Sequence, residues 1–243
     1  MKDNELVSII LPVWNNMKYL PDWFDTFREK TVYENFELIV IDQGSTDGTI
    51  GFIQEQPEVT LLIKNQVNTG STGAWNQGIN ASKSDYYLIM NSDIKFLYKG
   101  WIQRMLDEVT DKTGIVECLE IIWDKSTRWA GAAGFLLTEE AVKFIGLFDE
   151  KTFWGFCGDT DYWMRVAISG LEIKWCKDIV FFHWCGGTHR TGQLKETQHK
   201  DWDEGNERLR KKWHQVDIHR GWNVPRAEAE AWLQKERAEK RLS

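Results

Sequence analysis

Cysteine is scarce. The 243 residues hold four, at Cys118, Cys157, Cys176 and Cys185. No two of them form a C-x-x-C pair, so the spacing suggests neither a disulfide framework nor a zinc knuckle, and reduced core thiols are expected. Long hydrophobic runs are missing too: no stretch approaches the ~20 apolar residues of a membrane-crossing helix. The opening segment MKDNELVSIILPV lacks a basic start and a small-residue cleavage site, which predicts a soluble, cytoplasmic protein. There is no basic excess either. A net charge of −7 argues against wrapping a nucleic-acid backbone. Without repeats or low-complexity linkers, the chain reads as one large domain with an appendage.

Apolar residues make up 42% of the chain, enough for a sizeable core, and 14 tryptophans are among them. Tryptophan most often fills cores but is also a side chain on which sugar rings stack, so each one carries two readings, with the core the commoner. Charge is distributed unevenly. Residues 195–243 hold 12 Lys/Arg against 10 Asp/Glu, a net of +2 that leaves −9 for residues 1–194.

VSIILPV (7–13), FELIVID (36–42), VTLLIKN (59–65) and DYYLIMNSD (85–93) read as strands, the first two covered on both faces. Helical patterns separate them: the segment from Trp14 to Thr31, with Tyr19, Leu20, Trp23, Phe24 and Phe27 at helical spacing, then the one from Gly48, then residues 72–82. Alternation of this kind predicts a parallel α/β sheet with ligands at the carboxyl ends of its strands. Further on, GWIQRMLDEVTD, TEEAVKFIG (Thr138 as N-cap) and DTDYWMRVAIS read as helices, and GIVECLEIIW and EIKWCKDIVFFHW as strands. Residues 199–219 and 225–240 read as helical, the second opening with Pro225.

Three polar clusters fall at strand ends. IDQGSTDGT can bind a base or ribose through Asp42, or can simply be a turn and helix cap built on Asp47 and Gly48. Asn91-Ser92-Asp93 can hold Mg2+ or Mn2+ against a diphosphate, or can be a solvated strand end. FWGFCGDTDYWMR (153–165) sets Asp159 and Asp161 among aromatics, where a carboxylate must be paired, metal-bound or put to chemical use. About twenty residues later His183 ends an apolar strand, as a metal ligand, a phosphate contact or a satisfied structural residue.

The order of these motifs is more specific than any one of them. The run VSIILPVWNN, ELIVIDQGSTDGT, NTGSTGAWNQGINAS, YYLIMNSD, GLFDEKTFWGFCGDTDYWMRVAISG and FFHWCGGT closely resembles the family 2 inverting glycosyltransferases of the GT-A fold. The resemblance covers about residues 6–190, and NERLRKKW (206–213) echoes the segment that often closes these domains. It implies a Rossmann-like, mostly parallel central sheet flanked by helices, in a domain spanning 1–194. The nucleotide-sugar half would be about 1–98, the acceptor half about 99–194, and 195–243 a C-terminal helical extension.

By the same resemblance, Pro12, Val13 and Asp42 embrace the nucleoside, and Asn68, Gly70, Asn76 and Gly78 line the donor site together with Ser92. Asp93 and His183 hold the divalent cation, Mn2+ or Mg2+, and Asp159 aligns with the catalytic base. Asp161 and Arg165 brace the loop–helix junction, while Trp154 and Trp163 are candidates for sugar or acceptor stacking. The chain departs from the pattern at four places. Gln43 replaces a second Asp, as in rhamnosyltransferase-like members, which leaves the donor open among UDP-, dTDP- and GDP-linked sugars. Trp75 stands where a basic residue often faces the diphosphate, Asn91 replaces the first Asp of the metal motif, and Gly158 stands in a Glu position. The acceptor would be a glycan, a lipid or a protein.

Two rival readings stay open. A sugar-phosphate nucleotidyltransferase would need a Gly-rich basic loop after the first strand, where WNNMKYL stands. A non-catalytic nucleotide-sugar or carbohydrate-binding protein on a decayed scaffold would explain the four departures. The C-terminal helix, with Glu236 and Lys240 paired at i,i+4, reads as pinned to the domain or to a second copy of the chain, and peripheral membrane docking is the alternative.

Overall fold

The structure is a computed structural model that describes residues 4–122, 127–129, 133–184 and 195–213. In chain order the elements are β1 (Val7–Val13), α1 (Leu20–Lys30), β2 (Phe36–Asp42), α2 (Thr49–Gln54), β3 (Val59–Lys64), α3 (Gly70–Ala81), β4 (Tyr86–Met90) and β5 (Ile94–Phe96). There follow α4 (Trp101–Asp107), β6 (Thr113–Ile122), β7 (Thr127–Trp129), β8 (Gly134–Thr138), α5 (Glu139–Ile145), α6 (Gly158–Ser169), β9 (Glu172–His183) and α7 (Lys195–Lys212). The expected strands and helices are all present within the described residues. The expected helix at 225–240 lies outside them, as does Cys185.

The described strands form one sheet in the order β3-β2-β1-β4-β8-β6-β9-β5, with β7 on β6. Strands β1 to β4 pair in parallel, β8 runs against both β4 and β6, and β6 pairs in parallel with β9. The carboxyl ends of β1, β2, β4, β6 and β9 therefore meet at one edge. Continuous apolar runs fit because both faces are covered. Ile9, Leu11, Leu38 and Val40 face α1 and α4, while Ile10, Ile39 and Ile41 face α3, α5 and α6. On the first face Trp23 stacks on Phe27 with centroids 4.9 Å apart, and Phe96 and Trp101 extend this aromatic layer. The other face is sealed close to the backbone at Gly78, where a Cβ would run into Ile10.

A third cluster joins Phe153, Cys157, Met164 and Ile168 to Leu209 and Trp213, seating α7 on α6. Cys118, Cys157 and Cys176 are free and buried, as the spacing predicts. No helix among the described residues is long and apolar enough to cross a membrane.

Thr138 caps α5 as expected. Its hydroxyl accepts from the Ala141 amide at 3.3 Å and donates to the Thr113 carbonyl at 2.9 Å, tying the helix start to β6. Thr138→Ala should lower unfolding free energy by about 1 kcal/mol, the typical cost of a lost cap. Urea denaturation of the two proteins measures it directly.

Candidate functional site

Asp42, Asp93 and His183 stand at the carboxyl edge because each closes or follows a strand ending there. Asp159 reaches the same edge by a different route. Helix α6 leads through Gly170 into β9, whose first residue Glu172 sits beside Thr113 at the opposite edge, so α6 must begin at the carboxyl edge.

The loops after β1 and β2 are knitted together. Asn15, held at φ +50°, takes the Ser45 hydroxyl at its amide (2.9 Å), and its side-chain oxygen accepts from the Thr46 amide at 2.8 Å. Asp47 does cap the following turn, accepting from Thr49 and Met17 amides at 3.1 Å each. Asp42 is fully buried. One of its oxygens accepts from the Gly44 and Ser45 amides at 3.0 and 3.1 Å, while Oδ1 has no hydrogen-bond partner. Next to it, Gln43 Oε1 takes the Thr69 amide at 2.8 Å, and Nε2 is buried without a partner. A buried acceptor and a buried donor are thus both left unsatisfied at this strand end, a costly condition unless something else completes them. Pro12 is half-buried, and Val13 turns its side chain into the core while its carbonyl accepts from the Gln43 amide at 2.9 Å.

Asp93 and His183 meet. His183 Nε2 lies 3.2 Å from Asp93 Oδ1, with both residues more than nine-tenths buried. Strand pairing brings them there, since β5, directly after Asp93, runs antiparallel to β9 and sets Ile94 opposite His183. The Trp184 amide donates to the Asp93 carbonyl at 3.0 Å. Ser92 is held by the side-chain amide of Asn16, which also uses its own backbone amide on the Thr49 hydroxyl at 3.0 Å. One carboxylate and one imidazole make a partial donor set. A hard divalent cation commonly completes such a set with substrate phosphate oxygens, and no group of three or more His, Cys, Asp and Glu among the described residues offers a closed site.

The Asn-x-Gly segment on α3 packs against the loop before α6. Asn76 is buried; its Nδ2 donates to the Phe148 carbonyl (3.0 Å) and to Glu150 (2.9 Å), and its Oδ1 accepts from the Phe148 amide at 3.0 Å. Both ends of the amide are occupied in clamping the loop before α6. Gly78 packs on Ile10, and Trp75 lies in the core between Phe135 and Phe148. Asn68 accepts from the Gly70 amide at 2.8 Å, and Gly70, at φ +80°, leaves no room for a side chain because the Trp154 carbonyl passes there. The hydroxyls of Thr72 and Ser71 donate to the Phe153 and Gly155 carbonyls. The loop 153–157 is thereby laid across the start of α3.

The two candidate tryptophans separate. Trp163 is 3% exposed with its ring 4.6 Å from that of Phe135, a core position, the other of its two readings. Trp154 remains 40% exposed.

Asp159 and Asp161 also separate. Asp161 is fully buried and satisfied by Arg165 Nε at 3.0 Å, Lys212 Nζ at 2.9 Å and Trp213 Nε1 at 2.9 Å, which is the bracing role expected of it. Lys212 bridges on to Asp149 at 2.8 Å. Burial alone would raise the Asp149 carboxyl, but Lys212 and Thr152 outweigh it and hold Asp149 down at about 2. Asp159 is half-buried and makes no ion pair with any described residue. Desolvation raises its pKa above the ordinary aspartate value, offset in part by amides at the helix start. Cys157, at φ +68° just before it, has its thiol pushed up to about 11 by burial and the Asp159 charge, which leaves it protonated and unreactive.

The family model for Glycosyl transferase family 2 matches residues 8–165, more than half of the chain. The protein belongs to glycosyltransferase family 2. Among curated relatives, glycosyltransferase GlyG of Streptococcus pneumoniae is 33% identical over 114 residues, covering 45% of this chain and 36% of that protein. The dolichyl-phosphate beta-glucosyltransferase of Dictyostelium discoideum is 33% identical over 103 residues, 37% of this chain and 32% of its own. The matched region thus spans well under half the length of these relatives. In fold, the protein resembles a mannosyltransferase from Pyrobaculum calidifontis solved with GDP-Man and Mn2+ (TM-score 0.62, 14% identity, 97% of this chain and 81% of that one). It also resembles TarS of Staphylococcus aureus (TM-score 0.66, 12% identity, 95% of this chain and 42% of that one). The architecture is GT-A.

Sequence reasoning missed Asn16 and Glu117. Asn16, 1% exposed, links the β1 loop to Ser92, and a buried asparagine three residues past a strand end was the available signal. Glu117 is a charged residue inside an apolar strand pattern, and that irregularity was its signal.

The Asp161 cluster gives two expectations. Asp161→Ala strands Lys212 and Arg165 and should cost about 3–5 kcal/mol in urea unfolding. Asp149 ionises more easily folded than unfolded, so its contribution is complete above its ordinary value near 3.8 and is lost as pH falls toward about 2. Acid titration of wild type and Asp149→Asn, followed by circular dichroism, should show the wild-type advantage vanish in that window.

Proposed function

We propose that the protein is an inverting glycosyltransferase that moves a sugar from a nucleoside-diphosphate donor to an acceptor hydroxyl, with a divalent cation assisting. The observation that carries this reading is the placement of the buried Asp93–His183 pair and the unpaired carboxylate of Asp159 along one strand edge of a family 2 glycosyltransferase. Asp93 and His183 would hold Mn2+ or Mg2+, which would offset charge building on the leaving diphosphate. Support for a cation and a nucleotide comes from the mannosyltransferase with GDP-Man and Mn2+ and from TarS with UDP. The unsatisfied Asp42 Oδ1 and Gln43 Nε2, with the Pro12 and Val13 backbone beside them, are the groups a nucleoside would satisfy.

Asp159 takes the proton of the acceptor hydroxyl as its oxygen attacks the anomeric carbon from the face opposite the departing nucleoside diphosphate. A pKa raised by desolvation suits that task, since the carboxylate binds a proton more readily than an exposed aspartate does. Trp154, exposed beside the start of α3, offers a face to a sugar ring. Glycan, lipid-linked and protein acceptors all present the required hydroxyl.

Asp159→Asn should reduce transfer by about 10²–10⁴-fold, the range of a general base, with donor affinity nearly unchanged. Full activity in that variant would remove Asp159 from the role. His183→Ala should weaken donor binding in Mn2+ and have less effect in EDTA, as calorimetry would measure.

A further inference from the structure

Glu117 is the buried titratable group for which the mechanism above has no use. It lies in the middle of β6, 5% exposed, and no hydrogen bond or ion pair from a described residue reaches its carboxyl. An isolated buried carboxylate is costly, so its placement calls for a cause.

Its surroundings follow from register. Ile115, two residues earlier on β6, belongs to the core under α3, α5 and α6, so alternation puts Glu117 on that same face. Its partner on β8 is Phe135, whose ring packs 4.6 Å from that of Trp163 on α6. Trp163 is four residues after Asp159, and residues at that spacing share a helix face. The sheet pair Glu117–Phe135 therefore faces the helix pair Asp159–Trp163. Gly158 points the same way. A Cβ there would run into Thr72, so position 158 itself carries no side chain toward Asp159.

We propose that Glu117 is the positioning partner of Asp159, a buried carboxyl that keeps the proton of the pair so that Asp159 is the member carrying the charge. The consequence for catalysis rests on the glycosyl-transfer reading, whereas the pairing itself does not. Two like charges close together in a desolvated place do not both ionise readily, and the less solvated one holds its proton. Exposure ranks the two this way: Glu117 is 5% exposed, whereas Asp159 is half-buried. Burial first, and the Asp159 charge second, push Glu117 up to about 7. Asp159 is the one charged neighbour acting on it among the described residues; β8 presents Phe135 and β9 presents Trp175 at the same level.

The test follows the Glu117 side-chain carboxyl by 13C NMR in the full-length protein, with the resonance assigned by its loss in Glu117→Gln. It should titrate near pH 7 in wild type, far above the ordinary ~4.3, and move back toward that value in Asp159→Asn. A wild-type titration near the ordinary value, or one unmoved by Asp159→Asn, would overturn the pairing. The kinetic arm is the ratio of transfer rates for Glu117→Gln and wild type. Glutamine mimics the protonated acid, so the ratio should stay flat below about pH 6 and change by at least about threefold between pH 6 and 8. A ratio constant across the whole range would mark Glu117 as merely structural. An Asp159→Asn protein that still transfers sugar would contradict the proposed base separately, since the titration alone decides the pairing.

Discussion

The Asp161 carboxylate is the interaction on which the arrangement at the strand edge depends. Fully buried, it gathers an arginine one turn along its own helix and a lysine and a tryptophan from the far end of α7. Lys212 passes the connection on to Asp149, and Arg208 adds a contact to the Thr152 carbonyl at 3.3 Å. The loop that leads into α6 is thereby held from the C-terminal side by α7 and from the N-terminal side by Asn76, Thr72 and Ser71 of α3. Held from both sides, the chain can keep Cys157 in a left-handed conformation, which costs a non-glycine residue of order 1–3 kcal/mol, and can start a helix with Asp159 at a defined place. Two aspartates two residues apart thus differ: Asp161 is saturated by three charged or ring donors, whereas Asp159 has only local contacts at the start of its own helix and no ion pair among the described residues.

The same division runs through the rest of the edge. Asp42 spends one oxygen on its own turn and keeps the other free of partners; Gln43 spends its oxygen on Thr69 and keeps its nitrogen. Asp93 and His183 are joined to each other and held by strand pairing between β5 and β9. For Asp42 and Gln43, part of the polar group anchors the backbone and part is buried without a partner.

Much of this was legible in the residues. Continuous β-branched runs ending in polar residues gave β1, β2 and β4 and the edge at which they end, and the order of the strand-end clusters pointed to the family. Thr138 as a cap and Asp161 with Arg165 as a brace were readable because helix starts and i,i+4 ion pairs are local. What escaped was set by contacts between distant segments. The three-residue strands β5 and β7 have too few residues for a periodic signal and exist through their partners. Asn76 resembled donor-site lining until Phe148, 72 residues away, was found on both ends of its amide. Trp163 had two readings, and packing on Phe135 decided between them. Glu117 stood out only as a charge inside an apolar strand, and its neighbours there, Phe135 and Trp175, come from other strands.

The most direct measurement of the central claim is the melting temperature of the protein with UDP-, dTDP- and GDP-sugars, each with Mn2+ and with EDTA. A ligand that binds the folded state at 100 times its Kd adds about 2.7 kcal/mol. For a chain of this size that is a rise of about 5 °C or more. The account predicts such a rise for at least one nucleotide sugar in Mn2+, reduced when EDTA removes the cation. No rise with any of the three donors in either condition would contradict it.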